Sequence, residues 1–381
     1  MADPAVPPVL SEPMQVVHPA ALPADRAPVP PTEASDSEAV EQLSLGRRLR
    51  QPRTIVSLVV PLILLVLLAR TLPGFDLASL PGIIGKANPL LIVAAFAVYY
   101  AGFPLRGWRW VLLLRGTGYA IRPRDATEII FISWLVNCLV PAKLGDVYRA
   151  YLLKINSTAS LSRTFGTVFI ERILDLFAIA VLGLAAGYWS FRNGLPSSIQ
   201  VVFAIGVGVV VVLALMLLTL RNFGRRILVR LPIPRRERLL ELYDRFEEGV
   251  FGAVGIRALP GLVILTGLIW ATEALRLYFV VLALGFHDVG LGLSGAFFVA
   301  LIGSLLTAVP LSPAGLGIVE LGVVGVMTAA YGIPLTQATT IALVDRTISV
   351  FSIIVLGGIY YAISPLRKGG RNVGEEIVAR G

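Results

Sequence analysis

Long runs of apolar residues separated by short polar segments dominate the chain. Six runs are long enough to cross a hydrocarbon core of ~30 Å as single helices, which takes about 20 residues each. They lie at roughly 54–72, 88–105, 164–190, 198–220, 258–285 and 336–363. This pattern predicts an all-α, polytopic membrane protein with about six full transmembrane helices.

Two further apolar stretches, residues 125–156 and 293–331, are interrupted in the middle by helix-breaking residues. Lipid tolerates irregular backbone only where protein or a water-filled cavity satisfies it, so each stretch predicts a broken, re-entrant helical hairpin. A pair of short complete spans is the alternative. The expected hinge residues are Pro141, Gly145, Pro310, Pro313, Gly315 and Gly317.

Composition agrees with a membrane protein and excludes several other classes. Hydrophobic residues make up 56% of the chain and charged residues 15%, which is too apolar for an ordinary soluble domain. With one cysteine and two histidines, we expect no disulfide, no metal site and no cofactor. The net charge is +9, but no basic stretch is interleaved with stacking aromatic residues, so nucleic acid is not an expected partner.

The distribution of basic residues predicts the topology. If both hairpins open on the same side, nearly all Lys and Arg residues fall on the face that holds both chain termini. The positive-inside rule makes that face cytoplasmic, in the cytoplasmic (inner) membrane. The predicted divisions are a disordered tail at 1–46, a transmembrane domain at 47–366 with a cytoplasmic linker at 221–257, and a cytoplasmic tail at 367–381.

A segment of the second half repeats one of the first. Glu171–Gly183 aligns without gaps with Asp345–Gly357 at an offset of 174, and both segments open with an acid followed by arginine. In the predicted topology the two copies run in opposite directions, so the internal repeat, 88–190 and 258–363, is inverted. Inverted repeats with broken helices are typical of transporters.

Charged residues inside predicted spans are the main candidates for function, because a charge at the centre of the membrane costs about 2.5–3.5 kcal/mol on insertion scales. Lys143, Asp146 and Arg149 follow the first break at a spacing that predicts one shared helix face, suited to a lipid phosphate. Purely structural ion pairing, such as Arg172 with Asp175 or Arg346 with Glu171, is the alternative. The candidate substrate-binding residues are Asn137, Lys143, Asp146, Arg149, Arg172 and Arg346. The candidate gating or ion-pair residues are Arg106, Glu171, Asp175, Arg276, Glu320 and Asp345.

The run from Arg106 to Trp110 combines two arginines with two tryptophans at the end of a predicted span. Such a combination is typical of an anchor at the membrane interface. We therefore expect Arg109 and the tryptophans to lie near the lipid headgroups.

Taken together, these motifs resemble the lysylphosphatidylglycerol synthase transmembrane region, a flippase-like family of integral membrane proteins, over roughly residues 50–365. The resemblance is carried by Arg106 with Arg109-Trp110; Asn137 with Pro141, Gly145-Asp146 and Arg149; Glu171-Arg172 with Asp175; and Pro310 through Gly315, Gly317 and Glu320. It implies lipid translocation in members fused to an aminoacyl transferase, a domain not expected here. Some archaeal relatives are linked instead to polyprenyl-phosphate sugar transfer.

Two departures from the family pattern bear on the substrate. Family members usually have glutamate where this chain has Asp146, and a glycine pair where it has Ala314-Gly315. The first shortens a carboxylate arm by one methylene, and the second adds a Cβ at a tight turn.

The sequence therefore favours a transporter that moves an anionic phospholipid or a polyprenyl-phosphate glycolipid between leaflets. An integral membrane glycosyltransferase that uses a lipid-linked donor is the rival hypothesis, and a scaffold without transport is a third. Membrane lipids are the expected partners. A homo-oligomer and a lipid-modifying enzyme encoded nearby are further partners left open at this stage.

Overall fold

The computed structural model describes residues 77–140, 143–192, 236–286, 289–307, 312–369 and 372–376, with scattered positions between 200 and 230. The predicted disordered tail, the first predicted span and most of the span at 198–220 lie outside these residues. So do Pro141 and Pro310, two of the predicted hinges.

The first half of the described chain contains a long helix, a broken helix and a second long helix. A short helix α1 (Leu80–Gly85) precedes this half, which consists of α2 (Pro89–Gly116), α3 (Pro123–Leu139), α4 (Leu144–Ile155) and α5 (Leu161–Ser190). The break between α3 and α4 lies where the sequence predicted it. We call α2 to α5 the first half.

The second half has the same order of elements. It consists of α7 (Leu259–Ala283), α8 (Gly292–Leu306), α9 (Ile318–Tyr331), α10 (Leu335–Arg346) and α11 (Ser352–Ile363), and a π-helical turn at Thr347–Phe351 joins the last two. The polar helix α6 (Arg236–Gly252) lies between the halves in sequence. Short 3-10 turns occur at Leu77–Ser79, Pro313–Gly315 and Pro365–Lys368.

Four described helical segments are long and apolar enough to cross a membrane: Pro89–Gly116, Leu259–Ala283, Pro313–Tyr331 and Leu335–Ile363. The prediction of a mostly helical protein with several membrane spans is therefore confirmed. The described strands are β1 (Tyr119–Ile121) and β2 (Gly374–Glu376), which pair antiparallel and hold the C-terminal segment against the end of α2.

Local sequence accounts for where the long helices begin. The Asn88 side chain accepts a hydrogen bond from the amide of Leu90 at 3.0 Å, and Pro89 occupies the first helical position, where its missing N–H costs nothing. Ser160 caps α5 in the same manner through the amide of Arg163.

The two long helices α2 and α7 form the centre of the fold, and they run antiparallel. The amide of Asn88, before α2, donates to the carbonyl of Ala283, the last residue of α7, at 2.8 Å. At the opposite end Gly116 of α2 lies against the carbonyls of Gly252 and Ala253, which precede α7. Around this pair, α5 of the first half packs on α8 of the second, and α11 of the second half packs on α3 of the first.

Helix α6 crosses α5 at two glycines. A Cβ on Gly249 would collide with the backbone carbonyl of Arg163, and a Cβ on Gly166 would collide with that of Phe246. The backbones approach this closely only because neither position carries a side chain.

We predict that Gly249→Ala destabilises the protein by about 1–3 kcal/mol, because the added methyl group forces α6 away from α5. Gly255→Ala is the matched control, since a Cβ on Gly255 meets nothing within 4 Å. Thermal unfolding of the purified variants measures both effects. Equal melting temperatures for the two variants would contradict the close crossing.

Candidate functional site

A cavity of about 360 Å³ lies between the two halves, and both halves contribute to its wall. Among the described residues, six cationic side chains line it: Arg106, Arg109, Lys143, Arg172, Arg276 and Arg346. Five carboxylates line it as well: Asp146, Glu171, Asp175, Glu273 and Asp345. The described lining therefore carries one positive charge in excess.

In the first half, Arg172 of α5 binds Asp146 of α4 through two hydrogen bonds. Its Nε donates to Asp146 Oδ2 at 2.7 Å, and its Nη2 donates to Oδ1 at 2.8 Å. The amide of Gly145 donates to the side-chain oxygen of Asn137 at 2.8 Å, which ties α4 back to the end of α3. A Cβ on Gly145 would collide with the backbone carbonyl of Ser133, so this approach requires glycine.

The second half has a corresponding arrangement, in which the carboxylate side chain is longer by one methylene. Arg346 Nε donates to Glu320 Oε1 at 2.6 Å, while its Nη2 donates to the carbonyl of Ala314 at 2.5 Å. Glu320 Oε2 accepts from the amide of Gly317 at 2.6 Å. In both halves 26 residues separate the carboxylate from its arginine. We call Arg172–Asp146 the first clamp and Arg346–Glu320 the second clamp.

A chain of buried ion pairs connects α2, α7 and α10. Glu273 accepts from Arg106 at 2.6 Å and lies 3.2 Å from Arg276, which in turn lies 3.3 Å from Asp345. Arg276 also stacks over the ring of Tyr99, with 5.0 Å from its guanidinium carbon to the ring centroid. Charges at this depth require such partners, because an uncompensated ion in low dielectric is strongly destabilising.

A second buried network lies behind the first clamp. Arg109 of α2, only 1% exposed, contacts Asp175 at 2.6 Å and Glu171 at 3.1 Å. Arg149 of α4 contacts the same Glu171 oxygen at 3.1 Å and packs over the Trp110 ring. Glu171 therefore holds α2, α4 and α5 together.

Lys143 is the exception in this paired cluster. It lies at the junction of α3 and α4 in a left-handed backbone conformation, with a φ of 51°. Lys143 lines the cavity, and among the residues that the structure describes its ammonium has neither a hydrogen bond nor a carboxylate within ion-pair distance. It is therefore available to a ligand.

Part of the cavity wall is apolar. The residues concerned are Leu176, Ile179, Ile269, Leu277, Val319 and Val323. The indole ring of Trp270 also lines the cavity, and its N–H has no partner in the described part of the chain. The cavity wall thus combines charged and apolar side chains. No group of three or more ligating side chains within the described ranges is placed to hold a metal ion.

The structure brings most of the predicted site residues together. Ten line the cavity directly: Asn137, Lys143, Asp146, Glu171, Arg172, Asp175, Arg106, Arg276, Asp345 and Arg346. Of the predicted hinges, Gly315 also lines it, Pro313 and Gly317 flank it in the turn before α9, and Gly145 lies in the first turn of α4. Glu320 reaches the site through Arg346.

Three expectations differ from the observed geometry. Arg149 does not share a wall with Lys143, because it turns toward Glu171 and Trp110. Arg346 pairs with Glu320 rather than with Glu171, whereas the other pair of the structural alternative, Arg172 with Asp175, is present at 3.3 Å. Arg106 and Arg109 are not interface anchors: α2 continues to Gly116, so both lie inside the helix, buried against carboxylates.

The candidate site residues also lacked Arg109, Glu273 and Trp270, although Glu273 is a charged residue inside the predicted span at 258–285 and was expected to face the interior. The signal for Arg109 was its position three residues after Arg106, which places both on one face of α2. Glu273 and Arg276 share the same spacing on α7.

We predict that Glu273→Gln destabilises the protein by about 3–5 kcal/mol, because it leaves Arg106 and Arg276 without their shared counter-charge. The control is Glu248→Gln, which removes an exposed partner of Arg163 and should cost at most ~1 kcal/mol. Both effects are measurable as shifts in thermal unfolding of the purified protein. A similar cost for both variants would argue against a structural role for the buried network.

The family described as the lysylphosphatidylglycerol synthase TM region matches residues 54–357. A UPF0104 membrane protein of Methanocaldococcus jannaschii is 38% identical over 228 residues, which cover 60% of this chain and 93% of that protein. A UPF0104 membrane protein of Methanothermobacter thermautotrophicus is 28% identical over 72% of this chain and 83% of its own length. Glycosyltransferase AglD of Haloferax volcanii is 30% identical over 84% of this chain, and the match spans 55% of AglD.

Proposed function

This chain belongs to the lysylphosphatidylglycerol synthase transmembrane family of integral membrane proteins, and we propose that it is a carrier that moves an anionic lipid between the leaflets of its membrane. The observation that carries this proposal is the cavity between the halves, whose wall contains Arg172 of one clamp and Arg346 of the other. A ligand there touches both halves at once. It would therefore respond to a movement of one half against the other.

The chemistry of the wall supports an amphiphilic ligand. Charged side chains of both clamps and apolar side chains of α5, α7 and α9 line the same cavity. A phospholipid or polyprenyl-phosphate glycolipid combines a polar headgroup with hydrocarbon in the same manner. A small hydrophilic solute would leave the apolar wall unused.

The charge of the wall favours an anion. The described lining has one positive charge in excess, and Lys143 is a cation without a partner. We assign the headgroup phosphate to Lys143 and Arg172, with Asn137 and Asp146 orienting them. Arg346 approaches the same headgroup from the second half, while Arg149 supports Glu171 behind the site.

An inverted repeat supports the transport mechanism. The two halves have the same order of helices, equal 26-residue clamps and reciprocal packing, with α5 on α8 and α11 on α3. The corresponding helices α2 and α7 run antiparallel, as a twofold axis across the helices requires. Exchange of conformation between such halves alternates access to a shared site.

In this proposal the two breaks are the gates. The chain then has about six full spans and two re-entrant hairpins, with both termini in the cytoplasm. Among the described residues the proposed hinges are Gly145, Pro313, Gly315 and Gly317. The clamp carboxylates Asp146 and Glu320 exchange arginine partners as the gates move, while Glu171 and Asp175 keep their ion pairs and Arg106–Glu273 and Arg276–Asp345 hold the centre.

We predict that Arg172→Ala lowers lipid translocation at least about tenfold, because a charge-assisted hydrogen bond contributes ~1.5–3 kcal/mol. The measurement is a leaflet-reporter assay with fluorescent phosphatidylglycerol in proteoliposomes. Arg163→Ala is the matched control, because Arg163 pairs with Glu248 and does not line the cavity. Equal translocation by wild type and Arg172→Ala would refute the carrier.

A second candidate is glycosyl transfer from a lipid-linked donor, which the name of the Haloferax relative suggests. Asp345 is the best base for this chemistry, since it lines the cavity and its Oδ1 has no hydrogen-bond partner in the described part of the chain. Incubation with a radiolabelled lipid-linked sugar separates the hypotheses. We expect no new glycoside; a labelled product that disappears in Asp345→Asn would establish the enzyme instead.

A further inference from the structure

We infer that the two clamps are functionally unequal: the lipid phosphate is held by the first half alone, at Lys143 and Arg172, and the short side chain of Asp146 keeps that site open. This inference rests on the proposed function and names the group within the lipid that the cavity recognises. It follows from comparing the two halves position by position.

The offset of 174 aligns the clamps residue for residue. Arg172 corresponds to Arg346, Asp146 to Glu320 and Lys143 to Gly317. At the last of these positions both residues have a positive φ, 51° for Lys143 and 88° for Gly317, whereas ψ is 37° for Lys143 and −53° for Gly317. The aligned clamps thus share their arginine and differ in two side chains, the carboxylate and the residue three positions before it.

The second clamp is closed by its own glutamate. One oxygen of Glu320 accepts from Arg346 and the other accepts from the amide of Gly317 at 2.6 Å, which caps the start of α9. Gly317 has no side chain to offer a ligand. Among the described residues this position therefore offers neither an ammonium nor its own amide to a ligand.

In the first half, the ammonium and the backbone amide of Lys143 remain available to a ligand. Asp146 is one methylene shorter than Glu320, and both of its oxygens are taken by Arg172. In the described part of the chain no side chain accepts from the amide of Lys143, and the Lys143 ammonium has no partner. Arg172 is also the most open of the clamp residues, with 30% of its side chain exposed against 13% for Arg346.

The cavity contains other unpartnered hydrogen-bond donors, but they do not indicate which half binds the phosphate. The Nε of buried Arg109 and the Nη1 of buried Arg276 lack hydrogen-bond partners, and both residues line the cavity. They supply donors from either side for the rest of a headgroup. The ammonium occurs only on the first side of the described cavity, so the group of highest negative charge density belongs there.

The test measures binding, not transport, on the full chain purified in detergent. Radiolabelled phosphatidylglycerol is titrated, with diacylglycerol as the lipid without a phosphate. We expect Lys143→Gln to weaken phosphatidylglycerol about tenfold, or ~1.4 kcal/mol, and to leave diacylglycerol unchanged. Melting temperatures of the variants establish that they fold.

Two charge-conserving variants test the asymmetry. Asp146→Glu should weaken phosphatidylglycerol about fivefold, because the longer arm reaches the Lys143 amide as Glu320 reaches Gly317. Glu320→Asp makes the opposite change at the matched position and should alter affinity less than about twofold, because no lysine is present there. Equal losses in the two variants, or no loss in Lys143→Gln, would overturn the one-sided site.

Soluble competitors identify the source of the phosphate. Displacement of phosphatidylglycerol by glycerophosphate is expected, and failure at saturation would overturn the assignment. Tight binding of inorganic phosphate without retention of lipid would support the phosphate site while contradicting the carrier. Normal binding without translocation in proteoliposomes would contradict the carrier alone.

Discussion

The structure depends on the requirement that every ionised side chain at membrane depth has a counter-charge. The fold satisfies it with pairs that join different helices, together with neighbours on one helix such as Glu273 and Arg276. Arg106 of α2 meets Glu273 of α7, and Glu171 of α5 meets arginines of α2 and α4. Apolar side chains provide little preference for one neighbour over another in lipid, so these pairs specify which helices are adjacent. The same requirement concentrates the charges around one cavity, because a buried pair needs partners from several directions.

Much of the fold was predictable because each membrane span appears in the sequence as a long run of apolar residues. The run at 164–190 became Leu161–Ser190, and the run at 258–285 became Leu259–Ala283. Both breaks were predictable because proline and glycine interrupt an otherwise apolar stretch. The end of α2 was not, since Arg106 and Arg109 resemble a membrane boundary. Their partners Glu273 and Asp175 lie 167 and 66 residues further along the chain, at distances that local patterns do not reveal.

The site was predictable in membership and less so in pairing. The free-energy cost of a charge inside the membrane identifies residues such as Arg172 and Arg346 as candidates, but it does not indicate which carboxylate each arginine binds. Glu171 was a reasonable partner for Arg346, yet Glu320 occupies that place because the offset that relates the two arginines also relates Asp146 to Glu320. Applied to the acids as well as the arginines, the repeat contained this information. The departure at Ala314 also acquires a role: it adopts a φ of 51°, and its carbonyl receives Arg346.

The ion pairs divide into a frame and a moving part according to their exposure. Arg109 and Glu171 are at most 3% exposed, so separating them would leave two ions without water or partner, a cost of several kcal/mol for each. Arg172 is 30% exposed beside Asp146, where water replaces a lost partner at much lower cost. A conformational exchange that must occur within a working cycle therefore begins at the first clamp and leaves the deeper network intact. On this argument Glu171 and Glu273 hold α2, α4, α5 and α7 together as the fixed frame, and the Arg172 side chain and the turns that open α4 and α9 are the parts that move.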